Sequence, residues 1–212
     1  MRTEVGDLLY KTLIFDGYPD WDAVPTASIE SWHWERAENF RPPSFAKLCG
    51  IREKGLFVRL WSFEDSPRKE CSTRDEPIYE DSCLEFFVQL DVNSDVYLNF
   101  EFNCDGVYRS QIGKNRNERI FLSELTDLEP EIKTFEITEN GKKAWGIELF
   151  LSQNFLRLVT GTDYSVLQGK IRANFYKCGD KTPLPHYGAF SPVDSLEKGF
   201  HNPPCFGEIL FT

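Results

Sequence analysis

The sequence predicts an all-β protein, an antiparallel β-sandwich of the jelly-roll kind preceded by an irregular N-terminal arm. From about residue 46, the 212-residue chain consists of short apolar–polar alternations separated by turn clusters, as in a sandwich or barrel. The hydrophobic content of 41% and the aromatic content of 15% are sufficient for a core. We therefore expect residues 1–45 to form an arm packed on the domain and residues 46–212 to form one sandwich.

The predicted arm is rich in tryptophan, proline and acidic residues. Its tryptophans are Trp21, Trp32 and Trp34, and prolines interrupt the segment throughout. Because proline fixes the backbone and removes an amide donor, such a segment is expected to drape over the domain.

Four strand candidates have two unlike faces. Alternate side chains of a strand point to opposite faces, so a period of two in polarity separates a core face from an outer face. In each candidate one face is apolar, while the other is polar and also carries aromatic rings. The candidates are residues 56–61, 84–90, 97–103 and 171–176.

The segments between these candidates contain recognisable turns. Asn140 and Gly141 are typical of a two-residue hairpin, and residues 145–151 predict a further strand. Ser152 can cap a short helical turn over residues 152–157. Residues 91–96 predict a tight turn.

Charge and composition exclude several classes of function. The net charge of −10 disfavours a nucleic-acid partner and fits an uncharged or cationic ligand better. No apolar run is long enough to span a membrane, and residues 1–10 lack a signal-peptide pattern. We therefore expect either a cytoplasmic protein or a mature secreted fragment. The six cysteines have no C-x-x-C spacing and are expected to be free thiols.

The polar face of the four strands is the first candidate for a binding surface. Sugars are bound by aromatic rings, which cover the C–H face, together with carboxylate, guanidinium and amide groups, which bind the hydroxyls. The alternative is a solvated or loop-covered face whose Glu and Arg side chains pair across strands. If the strands share one sheet, the face gathers Arg59, Trp61, Glu85, Phe87, Tyr97, Glu101, Arg172, Asn174 and Tyr176.

Four motifs occur in order over roughly residues 50–212. They are Asp81-Ser-Cys-Leu-Glu85, Asn99-Phe-Glu-Phe-Asn103, Arg172-Ala-Asn174, and Phe200-His-Asn-Pro203 continuing to Phe206-Gly207. In this order they resemble the family 9-like carbohydrate-binding modules, which are DOMON-like β-sandwiches. The resemblance implies non-catalytic carbohydrate binding in polysaccharide breakdown, beside a partner glycosidase.

The resemblance also implies a set of sugar-binding residues. In the family, two aromatic side chains from separate loops sandwich the terminal ring of a glucan or xylan chain, and the corresponding positions are Tyr79 and Phe200. Glu85, Arg172 and Asn174 would bind the hydroxyls. Glu101 stands where the family has a basic contact, so its inclusion is a departure from the pattern.

No cofactor is required, although the family binds structural calcium in acidic loops. Asp91, Asn93 and Asp95 offer alternating oxygen ligands for such an ion. The same pattern is common in ordinary turns.

Two other functions are compatible with these residues. A glycosidase needs two carboxylates across a sugar, and Glu85 and Glu101 could be cross-strand neighbours, although an open sheet would not bury them enough to raise a pKa. A structural or protein-interaction sandwich would use the tryptophan-rich surface, including Trp61. His201 lies beside the predicted ligand loop and could donate a hydrogen bond or simply pack there.

Overall fold

The computed structural model describes residues 8–33, 40–165, 169–194 and 199–212, and the predicted β-sandwich is confirmed. Trp34 lies outside the described residues. Within them, two sheets pack face to face, and a single α-helix, α1 (Gln153–Thr160), follows the last residue of one strand.

Sheet A contains nine of the described strands. Its main path runs β1-β15-β13-β7-β8-β9-β10, and β14 joins β13 to β4 at one side. The pair β1–β15 is parallel and the other pairs are antiparallel. The strands are β1 (Leu9–Thr12), β4 (Ser31–Trp32), β7 (Cys83–Gln89), β8 (Tyr97–Phe102), β9 (Tyr108–Gly113), β10 (Arg119–Phe121), β13 (Lys170–Cys178), β14 (Tyr187–Ala189) and β15 (Gly207–Phe211).

Sheet B contains the other six described strands, in the order β11-β12-β6-β5-β2 with β3 paired to β5. They are β2 (Ile14–Phe15), β3 (Ala27–Ser28), β5 (Ser44–Ile51), β6 (Gly55–Phe63), β11 (Glu131–Glu139) and β12 (Lys142–Ser152). Short 3-10 turns occupy Ile78–Glu80, Leu122–Glu124 and Pro203–Cys205.

The four strand candidates all exist, but they do not share one sheet. Three of them correspond to β7, β8 and β13, which are neighbours in sheet A, whereas residues 56–61 belong to β6 in sheet B. Arg59 therefore lies over the ring of Phe135 at 4.1 Å, and Trp61 stacks on Phe45 at 5.4 Å. The prediction that Arg59 and Trp61 join the polar face is wrong, because alternation defines a strand's faces and not its neighbours.

The predicted hairpin and helix cap are confirmed. Asn140 and Gly141 have φ of 51° and 75° and connect β11 to β12 in the geometry that a two-residue hairpin requires. The Ser152 hydroxyl accepts a hydrogen bond from the amide of Phe155 at 3.1 Å.

The main core lies between the two sheets. Phe86 of β7 stacks on Phe175 of β13 with ring centroids 5.6 Å apart, and both side chains are fully buried. Val58 and Ile147 from sheet B pack in the same cluster. These are the apolar positions of the alternating pattern, so the pattern follows directly from burial of one face.

The described part of the N-terminal segment contributes short strands to both sheets. β1 pairs with β15 and β4 with β14, while β2 and β3 pair with β5. Trp21 is buried, with its ring 5.4 Å from that of Phe57. The division into an arm over residues 1–45 and a sandwich over residues 46–212 stays a prediction.

A second hydrophobic cluster lies on the outer face of sheet A. Phe87 and Tyr176 from the sheet pack there against Ile78, Phe200 and Phe206 from covering loops. The outer face is therefore buried over much of its area, and its polar residues sit in a low-dielectric setting rather than in bulk water.

The six cysteines are free thiols, as predicted. Among the described residues, no helix is long and apolar enough to cross a membrane.

Truncation of the core ring in Phe86→Ala should lower the free energy of unfolding by about 3–5 kcal/mol, because a buried ring is replaced by a cavity. Urea denaturation followed by circular dichroism measures this change. The control Leu158→Ala removes an exposed side chain of α1 and should stay within about 0.5 kcal/mol of the parent. Equal losses in both variants would contradict the assigned core.

Candidate functional site

A cavity of about 450 Å³ opens on the outer face of sheet A, between the loop that carries Tyr79 and the loop that carries Phe200. Its size is within the range of small-molecule sites, about 300–1,000 Å³. Four of the six predicted sugar-binding residues line it, namely Tyr79, Glu85, Glu101 and Phe200.

The floor of the cavity is one row of cross-strand partners. Tyr176 of β13 is opposite Glu85 of β7, Glu85 is opposite Glu101 of β8, and Glu101 is opposite Arg109 of β9. Directly opposed residues on antiparallel strands have Cβ atoms about 4.5–5.5 Å apart. The register therefore brings two carboxylates side by side and places a guanidinium next to them.

Glu101 is the buried acid of this floor, with only 3% of its surface exposed. Its Oε1 accepts a hydrogen bond from Asn99 Nδ2 at 3.0 Å, whereas Oε2 has no hydrogen-bond donor among the described residues. Burial raises the pKa of Glu101 to about 7, and Arg109 and Arg119 oppose this rise. An unpaired carboxylate oxygen that is closed off from solvent is costly.

Glu85 is equally buried and accepts a hydrogen bond from the Cys178 thiol at 2.8 Å. Burial, followed by the neighbouring charge of Glu101, raises the pKa of Glu85 well above its ordinary value. Burial also raises the pKa of the adjacent Cys83 thiol to about 12. The raised pKa favours the protonated form of Glu85, which can donate as well as accept a hydrogen bond.

Two guanidiniums form the wall beside these acids. Arg109 Nη1 donates to the carbonyl of Asp75 at 2.8 Å, and its Cζ lies 4.8 Å from the ring centre of Phe121 and 5.9 Å from that of Tyr79. Arg119 Nη1 donates to Asn99 Oδ1 at 3.2 Å. The Asn99 amide thus connects Arg119 to Glu101, so the guanidinium and the carboxylate hold each other's orientation.

Tyr79 occupies one wall of the cavity and is 37% exposed. Its loop is fixed by Asp81, whose carboxylate accepts hydrogen bonds from the amides of Glu70 and Cys71 and from Asn103 Nδ2. Asp81 and Asn103, which belong to two of the sequence motifs, therefore have a structural role: they position the loop that presents Tyr79.

Phe200 forms the opposite wall and is only 8% exposed, because one face stacks on Tyr176 with centroids 4.1 Å apart. The adjacent His201 shares a hydrogen bond with Tyr97 Oη at 2.9 Å and lies against Phe87. Burial, followed by the nearby arginines, lowers the pKa of His201 well below its ordinary value. His201 therefore lines the cavity as a neutral imidazole.

The structure does not bring Arg172 and Asn174 into this cavity. Arg172 Nη2 donates to the carbonyls of Pro204 and Phe206, at 2.9 and 2.8 Å, and Arg172 lines a separate depression. Asn174 is fully buried, with both ends of its amide bonded to the backbone of Ser191. Both side chains hold the covering loops, so we leave them out of the proposed site.

Comparison with known proteins identifies the family. The profile of carbohydrate-binding family 9 matches residues 18–211. The chain belongs to carbohydrate-binding family 9. It is accordingly a non-catalytic carbohydrate-binding protein, and its partner is a carbohydrate. No curated protein has a significantly similar sequence.

Solved structures share the fold of this family 9 chain. A Bacteroides uniformis protein assigned as carbohydrate-binding is 21% identical with a TM-score of 0.78, and the alignment covers 97% of this chain and 99% of the other. A family 9 module from Caldicellulosiruptor kristjanssonii with cellotriose is 12% identical, with a TM-score of 0.61 and coverage of 97% and 93%. A structure of a family 9 module from the same organism with glucose is 12% identical, with a TM-score of 0.59. The alignment covers 97% of this chain and 95% of the other.

The carboxylate pair of this family 9 chain is more buried than the sequence predicted. Our expectation that an open sheet would leave Glu85 and Glu101 unburied is wrong, because covering loops bury both and raise both pKa values. Both side chains project from one floor as cross-strand neighbours. Membership of a non-catalytic binding family, rather than the geometry of the pair, argues against glycoside hydrolysis.

The predicted calcium ligands lie in the exposed turn between β7 and β8. Asp91 Oδ1 accepts a hydrogen bond from the amide of Asn93 at 2.9 Å, and the Asp91 carbonyl accepts one from the amide of Ser94. These contacts are those of an ordinary turn. Calcium binding by Asp91, Asn93 and Asp95 stays a prediction.

Three arginines that line the cavity, Arg109, Arg116 and Arg119, were not predicted from the sequence. Arg109 could have been, because it lies in β9 on the face that Glu101 occupies. Arg116 lies in the connection between β9 and β10, and Arg119 begins the three-residue strand β10, so neither belongs to an alternation long enough to show where its side chain points.

Replacement of the acid in Glu101→Gln should flatten the pH dependence of stability between pH 4.5 and 7. The folded protein keeps the Glu101 proton up to about pH 7, whereas the unfolded chain releases it near pH 4.5, so this group lowers stability as the pH rises. The groups that face Glu101 are Glu85, Arg109, Arg119 and Asp180. The free energy of unfolding, measured by urea denaturation at pH 4.5 and pH 7.5, should fall between these two pH values by about 1–3 kcal/mol less in the variant than in the parent.

The exposed Glu136→Gln serves as the matched control and should keep the parent's pH dependence. His186 and His201, whose pKa values are lowered, contribute with the opposite sign and cancel in the comparison. An unchanged slope in Glu101→Gln would contradict the raised pKa of Glu101.

Proposed function

We propose that the cavity on sheet A binds one sugar ring, at the end of a carbohydrate chain. The observation that carries this proposal is the lining of the cavity of about 450 Å³, which combines carboxyl and guanidinium groups with two aromatic rings. Sugar hydroxyls donate and accept hydrogen bonds and can pair with both kinds of charged group. Glu85, Glu101 and Arg119 would bind the hydroxyls.

The walls of the cavity supply the apolar contacts that a sugar ring needs. We infer that Tyr79 covers one face of the ring and that Phe200 borders the other. Phe200 is held rigidly by its stack on Tyr176, and the Tyr176 hydroxyl donates to the Phe200 carbonyl at 3.1 Å. A preorganised aromatic wall lowers the entropic cost of binding.

A glucan- or xylan-like chain end is the ligand class that we propose. The two Caldicellulosiruptor kristjanssonii structures are complexes with cellotriose and with glucose, which supports this class for a cavity on the same fold. The protein would then retain a polysaccharide near a partner glycosidase. A protein-interaction role without a sugar is the outcome that the following experiment can also reveal.

Removal of the exposed ring in Tyr79→Ala should weaken sugar binding by about 1–3 kcal/mol, because a stacking surface is lost. Calorimetric titration with glucose, cellobiose and xylobiose measures this effect. The matched control is Tyr18→Ala, which removes a tyrosine that is 65% exposed and bonded to Glu148 of sheet B, and it should bind as the parent does.

We prefer Tyr79 to Phe200 for this test because Phe200→Ala would also remove a buried stack and destabilise the loop. Binding that is equal in Tyr79→Ala and the parent would place the sugar elsewhere. Absence of binding for every sugar tested, with the parent fully folded, would refute the proposed function.

A further inference from the structure

Three arginines line the cavity without a carboxylate partner. Among the residues that the structure describes, none of the guanidiniums of Arg109, Arg116 and Arg119 lies within 4.0 Å of an acidic oxygen. Their described hydrogen bonds go to neutral groups, namely backbone carbonyls and the Asn99 amide. Arginine side chains that are gathered in one cavity without direct ion pairs repel each other and are stabilised by a bound anion.

The acids of the cavity do not neutralise this cluster. The formal charges balance, since Glu85, Glu101 and Asp180 face the three arginines. Burial, however, raises the pKa of Glu85 and raises that of Glu101 to about 7, so that both favour the neutral form more than an ordinary carboxyl does. The cavity is therefore electropositive on a chain whose net charge is −10.

Arg116 lies at the mouth of the cavity in an ordered turn. The turn connects β9 to β10, and Asn115 Oδ1 accepts hydrogen bonds from the amides of Asn117 and Glu118, at 2.9 and 3.1 Å. Arg119 Nε donates to the Arg116 carbonyl at 3.0 Å. Arg116 Nη1 lies 3.8 Å from the point where a Cβ atom on Gly199 would be. The Arg116 side chain therefore extends toward the loop that carries Phe200.

The depth of the residues fixes where a charged group would sit. Glu85 and Glu101 are buried on the floor, whereas Arg116 is exposed and Arg119 half-buried. A ring whose hydroxyls face the floor would therefore present its outer substituent to the two guanidiniums. Planar guanidinium groups bind carboxylate and sulfate oxygens through paired charge-assisted hydrogen bonds.

We propose that the sugar bound in this cavity is acidic, with a carboxylate or sulfate substituent held at the mouth by Arg116 and Arg119. This inference rests on the proposed sugar site and refines its ligand class. It differs from our expectation of an uncharged or cationic ligand, which followed from the net charge of the whole chain rather than from the local charge of the cavity.

Calorimetric titration with matched sugar pairs tests the inference. Glucuronate and glucose 6-sulfate are each compared with glucose, and galacturonate with galactose. We expect the parent to bind at least one acidic sugar about three- to tenfold more tightly than its neutral counterpart, as for a partly exposed charge-assisted pair. The preference should shrink as the salt concentration rises. The two substituents are distinguished by whether glucuronate or the 6-sulfate binds more tightly.

Variants then locate the charged contact. Arg116→Gln should abolish the difference between the acidic and the neutral sugar, and Arg116→Lys should restore part of it. Arg157→Gln, at an exposed arginine of α1, is the matched control and should keep the difference.

The remaining outcomes separate this inference from the function on which it rests. Equal affinity for acidic and neutral sugars would overturn the inference and leave the sugar site intact. Inorganic sulfate that displaces the acidic sugar at comparable concentration would also overturn it, because the cavity would then be a simple anion site. No binding of any sugar would overturn both.

Discussion

The antiparallel pairing of β7 with β8 sets Glu85 directly beside Glu101 on a buried face of sheet A. Two adjacent carboxylates at low dielectric cannot both be charged without compensation. The neighbourhood supplies that compensation: the raised pKa of Glu85 favours its protonated form, the Asn99 amide donates to Glu101, and Arg109 and Arg119 oppose the rise in the Glu101 pKa. The arginines, the asparagine and the hydrogen-bonding capacity of the cavity floor all follow from this one pairing.

The cavity exists because loops cover the face on either side of the carboxylates and leave a gap above them. Asp81 fixes the loop that carries Tyr79, while Arg172 and Asn174 fix the loops that surround Phe200. These buried polar residues contact loop backbone rather than the cavity. Their contribution to binding is therefore one of position, since they keep the aromatic walls in place before a ligand arrives.

Much of the fold could be predicted from the sequence because burial on one face enforces a period of two. That period defined β7, β8 and β13 and placed Glu85 and Glu101 on a common face. It could not assign β6 to sheet B, because strand neighbours depend on the whole topology rather than on any one strand. Arg59 and Trp61 were misplaced for that reason.

The site was predictable only in part, for two physical reasons. Arg172 and Asn174 do lie on the outer face of sheet A, but both side chains donate hydrogen bonds to loop carbonyls. Such contacts join residues that are far apart in the sequence, so no local pattern predicts them. Arg116 and Arg119 were missed because the first lies in the β9–β10 connection and the second begins a strand of only three residues, where no period of two can be recognised.

The most direct test of the account is to map the bound sugar by amide chemical shifts. ¹H–¹⁵N spectra would be recorded while glucose and glucuronate are titrated into the labelled parent protein. We predict saturable shifts around Tyr79, Glu85, Glu101 and Arg119, which line the cavity on sheet A. Shifts confined to the adjoining depression beside Arg172 and Asp95, or no shifts with either sugar, would contradict this prediction.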